Sequence, residues 1–226
     1  INEILMSGYT VGRKTIYQNL NSLVSGEMAL IKKNKIERIQ YFKYFNKISK
    51  HNEKKLLSNL TKITINIFKK LILSLNGRQV VIPLSAGNDS RLVASILKFL
   101  NYKNVVCYSY GRKNSFEVLT ASKVAKKLGF KWIFVPLYHR SEVAFYNSKE
   151  YKDYLRFSET YSSVPYVQSL SSIKFLKEKK IIDDNAIFIN GNSGDFISGA
   201  HTNILKNSNY PNRGINDRKV LLMDWP

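Results

Sequence analysis

The residues best suited to bind a charged ligand form one short loop, Ser85-Ala86-Gly87-Asn88-Asp89-Ser90, between a predicted strand and a predicted helix. Its small residues let a ligand approach the backbone, and the N–H groups at a helix start attract anions. Ser85 and Ser90 add hydroxyl donors. Asp89 would repel a bare phosphate but can hold a magnesium ion that bridges phosphate oxygens. The loop therefore predicts binding of Mg-ATP, and an ordinary capped strand-to-helix turn is the alternative.

A second glycine-containing segment lies upstream and superficially resembles a Walker A phosphate loop. It reads Gly8-Tyr9-Thr10-Val11-Gly12-Arg13-Lys14-Thr15. The spacing between its two glycines is too short for that motif, and Arg13 stands between Gly12 and Lys14. We therefore reject this segment as a phosphate site.

Strands and helices alternate from residue 79 onward. Short apolar runs predict strands over 79–84, 104–110, 132–135 and 186–189, and helical patterns cover 91–100, 116–128 and 166–179. This alternation predicts an α/β fold, with a parallel sheet that carries helices on both faces. Because ligands of such sheets bind beyond the carboxyl ends of the strands, the loops at Ser85, Gly111 and Gly191 should face one crevice.

The part before residue 79 has a different pattern. Residues 15–23 predict a short helix, and residues 28–32 and 36–45 predict two strands joined by a turn. A longer helix follows and ends at Asn76-Gly77, with an apolar stripe that we expect to pack against the core. The stripe consists of Leu56, Leu60, Ile63, Ile67 and Leu71. We predict a domain boundary between residues 47 and 48.

The composition restricts the class of protein. The chain has 226 residues, is 44% hydrophobic and carries a formal charge of +20. Only nine of its 36 basic residues are Arg, and the Lys are scattered, which favours a solvated basic surface that attracts anionic substrates over specific nucleic-acid binding. No apolar run is long enough to span a bilayer. We therefore expect no transmembrane segment and no specific nucleic-acid partner.

The single cysteine, Cys107, lies in a predicted buried strand. One cysteine excludes disulfide frameworks and cysteine zinc clusters within the chain, and a reducing, cytoplasmic location fits best. Cys107 is expected to be a core residue rather than a nucleophile. The chain begins at Ile1 and ends at Pro226 without a visible end signal, so we expect it to be a fragment of a longer protein.

The loop at 85–90 resembles the Ser-Gly-Gly-x-Asp-Ser pyrophosphate loop of the PP-loop ATP-pyrophosphatase superfamily. Three further stretches resemble the glutamine-hydrolysing asparagine synthetase family in order and spacing: Cys107-Tyr108-Ser109-Tyr110-Gly111, Glu159-Thr160-Tyr161 and Gly191-Asn192-Ser193-Gly194-Asp195-Phe196-Ile197-Ser198-Gly199. On this resemblance, residues 1–47 are the remnant of a β-rich glutaminase domain. Residues 48–226 are then a C-terminally incomplete synthetase domain with an adenine nucleotide alpha-hydrolase-like fold.

The resemblance implies a carbon-nitrogen ligase that uses ATP and Mg²⁺. A small-molecule carboxylate becomes an acyl adenylate with release of pyrophosphate, and ammonia from the glutaminase domain displaces AMP. Asp89 and Asp195 would share the magnesium ion. The resemblance is also compatible with a homodimer. The implied catalytic residues are Asp89, Asp195, Asn192 and Glu159, and the implied nucleotide-binding residues are Leu84, Ser85, Ala86, Gly87, Asn88, Asp89, Ser90, Tyr110, Gly111 and Gly191.

Two departures from the family leave the identity of the carboxylate substrate undecided. Asn192 stands where the family has a Glu that handles the proton of the attacking ammonia, so Glu159 or His201 would have to serve as base, or the substrate differs. Residues 162–169 also lack the family's arginine, a natural partner for a carboxylate. The resemblance implies aspartate or a sugar acid of surface polysaccharide as the acceptor. A PP-loop RNA-modifying enzyme and a catalytically degenerate binding protein are the alternatives.

Overall fold

A computed structural model describes residues 1–33, 35–43, 52–192 and 194. These residues fall into two compact units. The first contains residues 1–33, 35–43 and 148–167, and the second contains 52–147, 168–192 and 194. The predicted domain boundary between 47 and 48 lies outside the described residues and stays a prediction.

Helices and strands occur in both units. In chain order they are α1 (Asn2–Ser7), β1 (Glu27–Lys32), β2 (Lys35–Gln40), α2 (Glu53–Leu75), β3 (Val80–Pro83), α3 (Asn88–Phe99), β4 (Val105–Gly111), α4 (Phe116–Leu128), β5 (Lys131–Pro136), α5 (His139–Tyr146), α6 (Lys149–Phe157), α7 (Leu170–Glu178) and β6 (Ile187–Phe188). None of the helices in the described ranges is long and apolar enough to cross a membrane.

The first unit contains an antiparallel hairpin of β1 and β2, in which Glu27 lies opposite Gln40. This confirms the predicted pair of strands, although the second strand ends at Gln40 rather than at residue 45. The buried carboxylate of Glu27 accepts hydrogen bonds from the guanidinium of Arg13 and, at 3.1 Å, from the N–H of Val24. The contact with Arg13 has the largest effect and the contact with Val24 adds to it. Together they hold the pKa of Glu27 below its usual range.

The helix predicted over residues 15–23 is wrong, because this segment forms bends and turns. The hydroxyl oxygen of Thr15 lies 3.0 Å from the carbonyl oxygen of Tyr17 and 2.8 Å from that of Leu20, and it accepts the N–H of Tyr17. The N–H of Ile16 donates to the carbonyl of Tyr161. Side-chain and long-range bonds thus replace the helical ones, as threonine commonly allows.

The second unit is built on a sheet of four parallel strands in the order β5-β4-β3-β6. Val80 of β3 pairs with Val105 of β4 on one side and with Ile187 of β6 on the other. The predicted α/β fold with a parallel sheet is therefore confirmed.

Helices cover both faces of this sheet. Val80 and Ile82 point into a core with residues of α2, α3 and α4, whereas Val81 points into a second cluster with Leu176 of α7. Alternating side chains of one strand are thus buried on opposite faces, which explains why β3 reads as a continuous apolar run. The first core contains Leu75, Val93, Ala94, Leu97, Ala121 and Ala125 among its helical residues.

The apolar stripe of α2 packs only at its carboxyl end. Phe68, Leu71 and Ile72 lie against the first core, and Leu75 is buried in it. Leu56, Leu60, Ile63 and Ile67 are exposed. The prediction that the whole stripe packs is therefore wrong from Leu56 to Ile67, because only the carboxyl end of the helix reaches the core.

Candidate functional site

The strand order creates a topological switch point beside the predicted loop. From β3 the chain passes through α3 to β4 on one side of the sheet, whereas β6 pairs with β3 on the other side. In parallel α/β sheets, the carboxyl ends of the two strands at such a switch point are where ligands bind. Residues 84–90 follow β3 at this point, and residues 189–192 and Gly194 follow β6.

Leu84, the residue before the loop, is held by the neighbouring strand β4, which is itself braced by β5. The N–H of buried Leu84 donates to the carbonyl of Tyr108 at 2.8 Å, and its own carbonyl accepts the hydroxyl of Ser109 at 2.7 Å. The indole N–H of Trp132 in turn donates to the hydroxyl oxygen of Ser109 at 3.1 Å. Strands β4 and β5 thus fix the point at which the loop leaves β3.

We expect Trp132→Phe to lower the free energy of unfolding by about 0.5–1.5 kcal/mol, because it removes one internal hydrogen bond and keeps an aromatic ring. Ser109→Ala should cost more, roughly 1–3 kcal/mol, because it also leaves the buried carbonyl of Leu84 unpaired. Urea unfolding followed by circular dichroism measures both values.

The double variant is the control for this network. Both bonds share the hydroxyl of Ser109, so once Ser109 is Ala the change Trp132→Phe should add little. Fully additive costs of the two substitutions would contradict a shared hydrogen-bond chain.

The loop is a tight turn closed by its own two serines. The hydroxyl oxygen of Ser85 accepts the N–H of Gly87 at 3.0 Å, and that of Ser90 accepts the N–H of Ser85 at 3.1 Å. The two hydroxyl oxygens lie 3.1 Å apart, so one hydroxyl hydrogen lies between them. The other hydroxyl can therefore donate to a ligand.

Helix α3 begins at Asn88, three residues earlier than the sequence pattern indicated. Gly87 is its N-cap, in an extended conformation and with no side-chain capping bond. The first N–H groups of a helix have no partner within the helix, so this end presents donors to the crevice. Asn88, Asp89 and Ser90 thus form its first turn.

Arg91 adds a cation to this turn that the sequence analysis did not single out. Its guanidinium donates to the side-chain oxygen of Asn88 and, at 3.2 Å, to the carbonyl of Gly87. These bonds hold a positive charge against the loop. An anion bound at the helix start would therefore meet a guanidinium as well as backbone donors.

Two glycines after β6 lie directly against Asp89. A methyl group on Gly191 would be 2.7 Å from Cβ of Asp89 and 2.7 Å from the backbone nitrogen of Ser90. A methyl group on Gly194 would be 2.5 Å from Oδ2 of Asp89 and closer still to its Cγ and Oδ1. The structure thus brings together two of the three loops that the sequence analysis assigned to one crevice. A side chain at Gly191 would meet backbone atoms, whereas one at Gly194 would require the Asp89 side chain to move.

The other predicted site residues are distributed as follows. Tyr110 and Gly111 end β4 beside the loop, and exposed Asn192 donates its N–H to the side chain of Asn190 at 3.2 Å. Glu159 belongs to the first unit. Asp195 and His201 lie outside the described residues. The roles of all these residues remain predictions.

The chemistry of Asp89 fits a hard cation. Its carboxylate stands at the helix start, and no cation of the described chain pairs with it. A carboxylate in this position suits Mg²⁺ held jointly with phosphate oxygens. Among the described residues there is no group of three or more His, Cys, Asp and Glu side chains that could hold a metal. The second carboxylate predicted for the site, Asp195, lies outside them.

Cys107 takes no part in this site as a nucleophile. It lies fully buried in β4, and burial raises the pKa of its thiol to about 12. A thiol of that pKa is almost entirely protonated at neutral pH, and the thiolate is the reactive form. The expectation of a core cysteine is confirmed.

Comparison with known proteins gives no match in sequence but several distant likenesses among solved structures. No protein-family model and no curated protein matches the sequence. The fold is similar to NH3-dependent NAD synthetase from Campylobacter jejuni subsp. jejuni, solved in complex with a nitrate ion, with a TM-score of 0.41 and 17% sequence identity. The match covers 63% of this chain and 59% of that one. It is too distant to transfer a residue role or an activity to this chain.

Proposed function

We propose that this chain is the ATP-binding part of an amide ligase that activates a carboxylate as its adenylate. The observation that carries the proposal is the loop at the switch point of the sheet. It combines the donors of a helix start, two serine hydroxyls and a carboxylate that lies against the glycines after β6. Donors together with one acidic residue suit a phosphate chain accompanied by magnesium better than they suit a bare anion.

In the proposed reaction, the substrate carboxylate attacks the α-phosphorus of ATP and pyrophosphate leaves. The N–H groups of the loop and the hydroxyls of Ser85 and Ser90 bind the leaving pyrophosphate and stabilise its developing charge. Asp89 would hold Mg²⁺, which neutralises phosphate charge. Ammonia then displaces AMP from the acyl adenylate, and the amide is formed. The pair of loops holds the reactants in one orientation, which is a large part of catalysis in such transfers.

The finer parts of the proposal rest on the sequence. The four motifs that resemble asparagine synthetases favour glutamine as the source of ammonia, with a glutaminase nucleophile outside this chain. Asn192 cannot accept a proton at neutral pH, and residues 162–169 offer no arginine to a small carboxylate. We therefore favour a sugar acid over aspartate as the acceptor, in a cytoplasmic enzyme.

Turnover with ammonia tests this proposal, since ammonia makes a glutaminase domain unnecessary. The full-length enzyme is supplied with ATP, Mg²⁺ and ammonium, and pyrophosphate release is measured with aspartate, with a uronic acid and with a nucleotide-linked uronic acid. We expect release with a uronic acid or its nucleotide-linked form and little with aspartate.

The outcomes separate the parts of the proposal. Turnover with aspartate at about 1 s⁻¹ or more would contradict the choice of a sugar acid and leave the ligase intact. Absence of Mg-ATP binding in isothermal titration would contradict the ligase itself. Tight binding of RNA without ATP would favour the RNA-modifying alternative.

A further inference from the structure

One backbone donor of the loop already holds an anionic group from elsewhere in the chain. The N–H of Ala86 donates to Oε2 of Glu117 at 2.6 Å, across 31 positions of sequence. A hydrogen bond from a backbone N–H to a carboxylate is charge-assisted and stronger than a neutral one. Ala86, the second residue of the predicted phosphate loop, therefore binds a carboxylate oxygen.

Glu117 is presented to the loop by a well-anchored helix. It lies in the first turn of α4, whose N-cap Ser115 accepts the N–H of Val118 at 3.4 Å. Val118 and Ala121 on the same helix are buried against the sheet. The helix follows the carboxyl end of β4, at the edge of the sheet where the loop after β3 also lies. The contact thus follows from the packing of α4.

We propose that Glu117 is an internal anion of the loop, which the phosphate chain of the nucleotide displaces from the N–H of Ala86. This inference rests on the proposed function. A loop N–H that binds one phosphate oxygen cannot at the same time keep a short bond to Glu117, and the two negative groups would repel each other at this distance. Binding therefore requires the carboxylate to leave.

The surroundings of Glu117 allow such a movement. Its side chain is exposed, so a change of rotamer would bring it into water without burying a charge. The helix that carries it need not move. Glu117 therefore acts as a positioning residue, which fills the loop when no nucleotide is bound and weakens the binding of anions that cannot displace it.

Glu117→Gln tests the inference because it keeps the size of the side chain and removes its charge. The affinity for pyrophosphate in the presence of Mg²⁺, measured by isothermal titration, should rise about tenfold. The amide proton of Ala86 should move upfield in the ¹H–¹⁵N spectrum of the ligand-free variant, because its charged acceptor is gone. Glu178→Gln makes the same charge change at an exposed site on α7 and should alter neither quantity.

Glu117→Asp separates the contact from the charge. Its shorter side chain keeps the negative charge but cannot reach Ala86 from the same backbone position, so we expect the amide proton to move as in the Gln variant and the affinity to rise less. Unchanged or weaker pyrophosphate binding by Glu117→Gln would overturn the inference and leave the proposed function standing. Lack of binding by both the original chain and the variant would overturn both.

Discussion

Replacement of Asp89 by asparagine is expected to remove the magnesium dependence of ATP binding. Asparagine has nearly the same size, so the glycines that lie against residue 89 can keep their places. It cannot supply the charged oxygen that a hard cation requires. In isothermal titration with Mg²⁺, the affinity for ATP should fall by about a hundredfold.

The direction in which the affinity for magnesium-free ATP changes makes this test specific to the charge of Asp89. With magnesium removed by a chelator, the original chain meets bare ATP with a negative side chain at the helix start, whereas the amide side chain of the D89N variant is neutral. ATP without magnesium should therefore bind the variant at least as well as the original chain. Asp184→Asn, at a fully exposed position beside Lys177, is the matched control and should change neither affinity. Equal magnesium dependence in D89N and the original chain would contradict the role of Asp89.

The sheet and its loops could be predicted because their causes are local in sequence. Each strand of the second unit is a short apolar run, and α4 has both Ser115 at its start and Gly129 at its end. The place of the ligand loop then follows from the general rule for parallel sheets. For the same reason, the turn at Asn76 that ends α2 could be read directly from the sequence.

The contacts that complete the site could not be predicted in this way. Ser109 supports Leu84 across 25 positions, and Glu117 reaches Ala86 across 31. Neither pair has a sequence pattern of its own, since strand pairing and helix packing alone bring the partners together. The same limit explains the error at residues 15–23, where a bond to Tyr161 and the side chain of Thr15 outweigh the apolar spacing.

Substitution of Gly191 by alanine should damage the site by steric contact alone. The backbone of Gly191 is outside the left-handed region, so alanine is not strained there by its own conformation. The added methyl group would however approach backbone atoms of Asp89 and Ser90 to 2.9 and 2.7 Å, and these belong to the first turn of a helix and cannot easily yield. The segment after β6 must shift away from Asp89. A displacement on the order of 1 Å typically lowers turnover by about a hundredfold, so we expect pyrophosphate release to fall to that extent.

Gly129→Ala distinguishes this effect from a general loss of stability. Gly129 ends α4 with a φ of 71°, so alanine costs about 1 kcal/mol there, at the edge of the sheet opposite the loop. Overpacking at Gly191 should lower the free energy of unfolding by a similar or larger amount, roughly 1–3 kcal/mol. Urea unfolding compares the two variants, and titration with Mg-ATP should show a loss of affinity only for Gly191→Ala. If both variants bind Mg-ATP as the original chain does, the two loops do not form a common nucleotide site.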